Sequence, residues 1–183
     1  SGVFEIKGTS PTTQAIPTNT PRPVYTSVPY TIIKQWDWRN RHGKNWVSPV
    51  KNQLTCGSCW AFAGISTTES AINLYYNQIL NIDLSEQDSV CKHSGSCQFG
   101  GYWTDTLREL MSTGIVTESC YPYTSNETCG GSCPNSASQL WKIKNFNYIS
   151  SWPYTDLLLK QHVIEKGPIP FVVRRWWHVM TLV

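Results

Sequence analysis

The sequence has little charge and lacks long apolar runs. Only 15% of its 183 residues are charged, and its formal net charge at pH 7 is +3. It contains no block of Lys and Arg, which argues against a nucleic-acid partner. Its apolar stretches fall short of the roughly 18 residues that a membrane-spanning helix requires. Because apolar residues still make up 40% of the chain, we expect a globular protein with a sizeable core.

The amino-terminal segment lacks helical periodicity. Residues 1–34 are rich in Thr, Pro and Ser, as in "PTTQAIPTNTPRP". This composition predicts an extended linker or the remnant of a pro-segment. The chain begins at Ser1 without an apolar signal region, so we expect a processed product or a fragment. At "QWDWRN" the composition changes, and the globular part is expected to begin there.

Helices are predicted first and strands later. After Cys59, apolar residues recur at spacings of three and four, which predicts a helix to about Tyr76. Leu107, Leu110 and Met111 are expected to face inward. Cap and stop residues predict three further helices, over residues 85–91, 102–112 and 155–166. The segments "PIPFVV" and "HVMTLV" predict two short buried strands. This order indicates an α+β protein, with a helical lobe over 35–114 and a sheet lobe over 115–183.

Seven cysteines give an odd count. In a reducing compartment they would be metal ligands or catalytic thiols, whereas in an oxidising one they would form bridges and leave one free thiol. Asn126 begins the triplet Asn-Glu-Thr, which is a glycosylation acceptor. The triplet and the cysteine count together favour a lysosomal or secreted protein.

The motif "CGSCW" at residues 56–60 allows three kinds of chemistry. A redox pair would favour a βαβ setting, which the surrounding pattern lacks. A zinc site would need a second pair of ligands at matching spacing, and we therefore expect no metal. Cys59 falls in the first turn of a predicted helix, where the helix dipole and free N–H groups stabilise a thiolate. Gly57 and Ser58 would leave room for a substrate backbone.

A nucleophilic cysteine also needs a base and an oxyanion donor. The candidate bases are His42, His93, His162 and His178. His178 opens the last apolar strand, and the residue types there allow two interpretations equally. It could be a buried histidine bonded to the backbone, or it could be a catalytic base. Gln53 could offer its side-chain N–H₂ to a developing oxyanion beside the backbone N–H of Cys59.

Several motifs together resemble the papain-like cysteine peptidases. They are "WDWRN", "VSPVKNQLTCGSCWAF", "LSEQDSVC", the Gly-Gly pair, "CYPYTS", "EKGPIPFVV" and "HVMTLV". The resemblance covers roughly residues 35–183 and is closest to the cathepsin C, or dipeptidyl peptidase, branch. It implies a two-lobed fold, in which a helical lobe and an antiparallel, barrel-like sheet lobe enclose a cleft that binds a peptide or protein substrate.

The resemblance also implies a role for individual residues. Cys59 would be the nucleophile, His178 the general acid and base, and Gln53 the oxyanion donor, in peptide hydrolysis through a thioester without any cofactor. The substrate-binding residues would be Gly100, Gly101 and Trp60, the last packing between the lobes. The implied disulfides are Cys56–Cys97, Cys91–Cys129 and Cys120–Cys133.

Three features depart from the pattern of this family. Two residues, where one is common, separate Cys97 from the glycine pair. The interval from Cys59 to His178 is shorter than the roughly 130–150 residues typical of the family, and no asparagine follows that could orient the histidine. We therefore expect an incomplete sheet lobe, completed by further residues or a second chain, and little activity from these 183 residues alone. The alternative is a papain-fold structural or binding component whose catalysis is lost.

Overall fold

The computed structural model describes residues 33–92, 97–131, 133–149 and 155–183. The predicted linker over residues 1–34 lies outside the described residues except at its last two positions. His93 lies outside them as well. All seven cysteines and the remaining candidate site residues lie within the described ranges.

Within these ranges the chain forms four α-helices and one β-hairpin. The elements are α1 (Cys59–Tyr76), α2 (Glu86–Lys92), α3 (Trp103–Ser112), α4 (Asp156–Lys166), β1 (Ile169–Val173) and β2 (His178–Leu182). The two strands pair antiparallel, with Val173 opposite His178. Helices precede strands along the chain, so the predicted α+β class is confirmed.

The central element is α1, which begins and ends where the sequence predicts. It ends because Asn77 adopts a left-handed conformation with φ of 50°, and its N–H donates to the carbonyls of Asn73 and Leu74. Gly64 lets α3 approach closely, since a Cβ at that position would lie 2.7 Å from Cβ of Thr106. The first turns of α1 are thereby held against α3.

Local caps explain where the other helices begin and end. The Ser85 hydroxyl accepts a 2.9 Å hydrogen bond from the N–H of Asp88, and the Thr155 hydroxyl accepts one of 3.2 Å from the N–H of Leu158. After α3, the N–H of Gly114 donates back to the helix at 2.8 Å. These three boundaries are those predicted from the sequence.

Two apolar clusters hold the helices together. The larger cluster lies between α1 and α3 and consists of Ile65, Ile72, Leu84, Leu107, Leu110, Ile115, Trp141 and Ile143. The smaller consists of Trp38, Trp46, Leu74 and Val163. Within it, Nε1 of Trp38 donates a 2.7 Å bond to the carbonyl of Val163 and so joins the first described residues to α4. Met111 was predicted to face inward, but it is 38% exposed, because the face of α3 that packs on the core carries Thr106, Leu107 and Leu110.

The hairpin is less buried than the sequence predicts. Phe171, Val172 and Met180 are exposed, and at the tip Trp176 and Trp177 are 66% and 89% exposed. The prediction of two buried strands is wrong because, in the described part of the chain, the sheet has only these two strands. The sheet lobe is therefore incomplete.

A cluster of charges fixes the segment that precedes the CGSCW motif. Nζ of Lys51 lies 2.6 Å from Asp83, 2.8 Å from Glu86 and 3.6 Å from Glu69 on α1. Burial raises the pKa of Glu86 to about 8, although Lys51 opposes this shift. Burial lowers the pKa of Lys51, but Glu69 and Glu86 raise it more, so the net shift is upward. The cluster holds Lys51, two residues before Gln53, against α1 and α2.

Glu109 on α3 is a further buried carboxyl group. Its side chain accepts a 3.0 Å hydrogen bond from the Ser89 hydroxyl on α2. Burial raises the pKa of Glu109 to about 8, while Ser89 and Lys92 lower it. The folded state therefore favours the protonated form of this side chain.

We expect the fold to lose stability as the pH rises from 5 to 8. The pKa of Glu109 is about 8 in the folded chain and near 4.5 when unperturbed. In this window the folded state keeps a proton that the unfolded state releases, so this contribution is full below the unfolded pKa and is lost as the pH rises through the folded value. Glu109→Gln should reduce the fall in melting temperature between pH 5 and pH 8, measured by circular dichroism. The exposed Glu127→Gln is the control. A Glu109→Gln variant with the wild-type pH dependence would contradict this prediction.

Candidate active site

The turn before α1 is held by the loop that follows α2. Cys56 forms a disulfide with Cys97, and the N–H of Gly57 donates a 2.8 Å bond to the carbonyl of Cys97. A Cβ at Gly57 would lie only 2.7 Å from that carbonyl oxygen. The space beside Gly57 is therefore filled by Cys97 and not left for a substrate. Ser58 is buried, so the expectation that it leaves room for a substrate is also wrong.

Six of the seven cysteines form disulfides. The pairs are Cys56–Cys97, Cys91–Cys129 and Cys120–Cys133, which are the pairings that the resemblance implied. Since all seven cysteines lie in the described ranges, Cys59 is the one left as a thiol. Its side chain is half-buried.

Cys59 is the first residue of α1, an 18-residue helix. Ser58 occupies the N-cap position, but its side chain makes no capping hydrogen bond to the helix. The N–H groups of a first helical turn have no partner within the helix and carry the positive end of its dipole. A negative charge that develops at the Cys59 sulfur, or on an oxygen beside it, is stabilised at this place.

Gln53 lies beside the same turn. Its side-chain Nε2 donates a 2.8 Å bond to the main-chain carbonyl of Cys56. The main-chain carbonyl of Gln53 accepts a 2.9 Å bond from the hydroxyl of Tyr123. An amide side chain has two N–H groups, so one can hold the turn while the other donates to a second acceptor. The structure therefore brings Gln53 to the residues that immediately precede Cys59.

His178 begins β2, which lies along the first turns of α1. Val179 packs against Trp60 and Ala61, and the hydroxyl of Thr181 donates a 3.5 Å bond to the carbonyl of Ala63. His178 is therefore at the same end of α1 as Cys59. Within the described structure, no hydrogen bond joins the Cys59 sulfur to the His178 imidazole. Such bonds are often long in a free enzyme and tighten when a substrate is bound.

The other two described histidines lie elsewhere. His42 is exposed on the surface. Nδ1 of His162 is 2.8 Å from the carbonyl of Leu158, one turn earlier on α4. His162 also lines an apolar cavity of about 700 Å³ between α1, α3, α4 and β1, and neither Cys59 nor His178 contributes to its wall. Of the described histidines, only His178 lies beside the start of α1.

The glycine pair lies over Trp60. A Cβ at Gly101 would be 2.7 Å from Cε2 of the Trp60 ring, and Gly100 has a φ of 73° that favours glycine. Trp60 is only 1% exposed, so its assignment as a substrate-binding residue is corrected: it supports Gly101 from beneath. Trp60 also belongs to the apolar cluster, with Ala61 and Val90, against which Val179 of the hairpin packs.

Sequence reasoning missed three aromatic residues near this site. Phe99 and Tyr102 flank the glycine pair and are both largely exposed. The hydroxyl of Tyr123 contacts both Gln53 and Ser58. Phe99 and Tyr102 could have been found from the sequence, because they are aromatic residues on either side of a glycine pair. Tyr123 contributed only to the resemblance, as part of "CYPYTS".

Asn126 lies on an exposed turn. Its Oδ1 accepts a 2.8 Å bond from the N–H of Thr128, and its Nδ2 donates a 3.2 Å bond to the carbonyl of Thr124. The side chain is therefore on the surface, while glycosylation at this residue stays a prediction.

Over the described ranges, the chain offers no metal-binding cluster. No group of three or more His, Cys, Asp or Glu side chains is arranged to hold an ion. In the same ranges, no helix is both long enough and apolar enough to cross a bilayer.

Comparisons with known proteins agree with this architecture. Residues 32–181 match the family described as papain family cysteine protease. The chain is 46% identical to chymopapain from Carica papaya over 89 residues, which cover 48% of this chain and 24% of chymopapain. It is 34% identical over 139 residues to the viral cathepsin of Cydia pomonella granulosis virus, covering 75% of this chain and 38% of the relative.

Solved structures show the same relationship. Digestive procathepsin L2 from the larval midgut of Tenebrio molitor superposes with a TM-score of 0.55 at 31% sequence identity, covering 73% of this chain and 41% of that one. The chain thus spans less than half the length of the relatives it matches. Because the family match extends over most of the sequence, this protein belongs to the papain family of cysteine proteases.

Proposed function

We propose that the complete protein is a thiol peptidase that uses Cys59 as its nucleophile. The observation that carries this proposal is the position of Cys59. It is the one thiol among seven cysteines, and it begins a long helix whose N-cap side chain does not cap it. The thiolate is the reactive form of cysteine, and the positive end of a helix stabilises an oxyanion that forms beside it.

The proposed reaction is acyl transfer. The Cys59 thiolate attacks the carbonyl carbon of a peptide bond, and the carbonyl oxygen becomes an oxyanion that accepts hydrogen bonds from Cys59 N–H and Gln53 Nε2. His178 donates its proton to the leaving amine as the C–N bond breaks, which leaves a thioester. His178 then takes a proton from water, and attack of the resulting hydroxide on the thioester releases the acid and the Cys59 thiolate, with His178 protonated again.

Substrate would bind beside the glycine pair. Gly100 and Gly101 have no side chains that could block an approaching peptide backbone, and buried Trp60 holds Gly101 in place. The exposed side chains of Phe99 and Tyr102 flank this strip. We propose that they contact substrate side chains on either side of the backbone contact.

Completion of the sheet is part of the proposal. The exposed apolar residues of the hairpin, among them Phe171 and Met180, would be covered by further strands. These strands would come from a longer form of the protein or from a second chain, and would supply the group that orients His178. The histidine needs such a group because a general base acts only when its ring is held.

An acidic, oxidising compartment suits this protein. Three disulfides persist only where thiols are oxidised. Burial raises the pKa of both Glu86 and Glu109 to about 8, so these side chains favour folding at acidic pH. Exposed Asn126 would accept a glycan on the same route. We therefore propose a lysosomal or secreted location.

Selective alkylation tests the nucleophile assignment. We expect iodoacetamide at pH 5.5 to modify Cys59 before any other cysteine, because the remaining six are in disulfides and Cys59 is left as a thiol. Peptide mapping by mass spectrometry under non-reducing conditions identifies the site. Cys59→Ser should abolish the labelling. Equal labelling at several cysteines, or labelling elsewhere, would refute the assignment.

Activity measurements test the two partners of Cys59. In the full-length protein, Cys59→Ser and His178→Ala should each lower kcat by about 10⁴ or more. The two residues act as one catalytic unit, so the loss of either removes the contribution of both. Gln53→Ala should lower kcat by about 10²–10³, the usual loss for one oxyanion donor. His162→Gln is the control and should keep wild-type kcat. A wild-type protein without peptidase activity would favour the alternative of a papain-fold binding component.

Substrates with free and blocked amino termini distinguish the branches of the family. The stretches "WDWRNRHGKNWVSPVKNQ" and "ESCYPYTS" support the dipeptidyl peptidase branch. For the full-length protein, we expect faster hydrolysis of a dipeptide amide with a free amino terminus than of its acetylated form. Faster cleavage of the acetylated form, or of internal bonds in a longer peptide, would place the protein among the endopeptidases.

A further inference from the structure

The hydroxyl of Tyr123 joins two parts of the candidate site. It lies 2.6 Å from the hydroxyl of Ser58, the residue directly before Cys59. It also donates a 2.9 Å bond to the main-chain carbonyl of Gln53. These partners are 65 and 70 residues away in the sequence. One atom from a distant loop thus contacts the segments that supply both the nucleophile and the oxyanion donor.

The direction of these hydrogen bonds follows from the number of protons. A tyrosine hydroxyl has one proton, and the Gln53 carbonyl can only accept. Once Tyr123 donates to Gln53, the short contact with Ser58 requires the serine hydroxyl to donate to Tyr123. Burial raises the pKa of Tyr123, and the Ser58 bond opposes that shift, so the phenol keeps its proton over the working range of a peptidase.

This arrangement gives the Ser58 side chain a use other than capping. Serine at an N-cap usually has an extended backbone and accepts a hydrogen bond from the first helical turn. Ser58 instead has φ of −94° and ψ of 16°, and its side chain makes no capping bond. With its hydroxyl bonded to Tyr123, the serine side chain does not compete with a substrate oxygen for the N–H of Cys59.

The rest of Tyr123 is held independently of its hydroxyl. Its ring packs edge-on against Phe62 of α1, with ring centroids 4.9 Å apart. Its backbone N–H donates a 2.7 Å bond to Glu118. Removing the hydroxyl alone should therefore leave the ring and the loop in place.

We propose that Tyr123 is a positioning residue for the Cys59 reaction, whose hydroxyl holds Gln53 and Ser58 so that the oxyanion donors are aligned. This inference rests on the proposed function of Cys59 and adds a residue to it. The hydroxyl acts through Gln53 and Ser58 and does not itself touch the reacting atoms.

Tyr121 provides a matched control two residues away. Its hydroxyl also makes two contacts, to the sulfur of Cys91 at 3.2 Å and to the N–H of Gly130 at 3.0 Å. These partners belong to the disulfide-bonded loop and lie outside the candidate site. Tyr121→Phe and Tyr123→Phe therefore remove the same group from the same "CYPYTS" segment.

The experiment measures kcat, KM and the alkylation rate of Cys59 in the full-length protein. For Tyr123→Phe we expect kcat to fall about tenfold with KM changed by less than about twofold, as for an interaction made only in the transition state. Alkylation by iodoacetamide forms no oxyanion and should change by less than about threefold. Tyr121→Phe should keep wild-type kcat, and melting temperatures verify that each variant is folded.

Ser58→Ala provides a second variant that removes the other side of the same hydrogen bond. If the two hydroxyls act together, the double variant Ser58→Ala/Tyr123→Phe should be no slower than Tyr123→Phe alone. Additive losses, an unchanged kcat in Tyr123→Phe, or equal losses in kcat and alkylation rate would each overturn the positioning role. Wild-type protein whose Cys59 is not preferentially alkylated would overturn the proposed function as well, which separates the two failures.

Discussion

The contact between Gly57 and the carbonyl of Cys97 is the constraint on which the site depends. The Cys56–Cys97 disulfide brings the two backbones so close that position 57 has no room for a side chain. This contact fixes the turn before α1. Gly101, four residues after Cys97, then lies directly on Trp60, which belongs to the apolar cluster that Val179 of β2 packs against.

A succession of close contacts therefore connects the disulfide to the hairpin. Two of these contacts, at Gly57 and Gly101, leave no room for a side chain, so the backbone at the start of α1 is closely fixed. Hydrogen bonds fix two side chains that these contacts do not hold. The Gln53 amide donates to the carbonyl of Cys56, and the Ser58 hydroxyl bonds to the hydroxyl of Tyr123. The thiol of Cys59 then lies at a helix end that the N-cap side chain of Ser58 does not cap.

The interior of the helical part contains several acidic side chains. Glu69 on α1, Glu86 on α2 and Glu109 on α3 are all buried, and burial raises the pKa of each. A buried carboxyl group is stable when it is protonated or when it is paired with a cation. Lys51 provides such a pair for Glu69 and Glu86. The same helices that form the site thus contain carboxyl groups whose pKa values are raised by burial.

Local features of the sequence predicted the helices well. The periodicity after Cys59, the caps at Ser85 and Thr155 and the stop at Gly114 all act within a few residues, and the structure confirms them. Burial of the strands could not be predicted in the same way, because a strand is covered only if other strands lie beside it. The choice of His178 among four histidines came from a family resemblance. Tyr123 was missed because its contacts join residues 65 and 70 positions apart, a separation that no local pattern records.

The described tryptophans include a buried group and an exposed pair, with Trp36 and Trp103 half-buried between these extremes. Trp38, Trp46, Trp60 and Trp141 are buried, whereas Trp176 and Trp177 at the hairpin tip are exposed. A collisional quencher such as acrylamide would reach the tip indoles first, and their emission would be red-shifted relative to that of the buried ones. When further strands or a second chain cover the hairpin, the quenchable fraction should shrink while the buried emission stays constant. Intrinsic fluorescence can therefore follow completion of the sheet without any label.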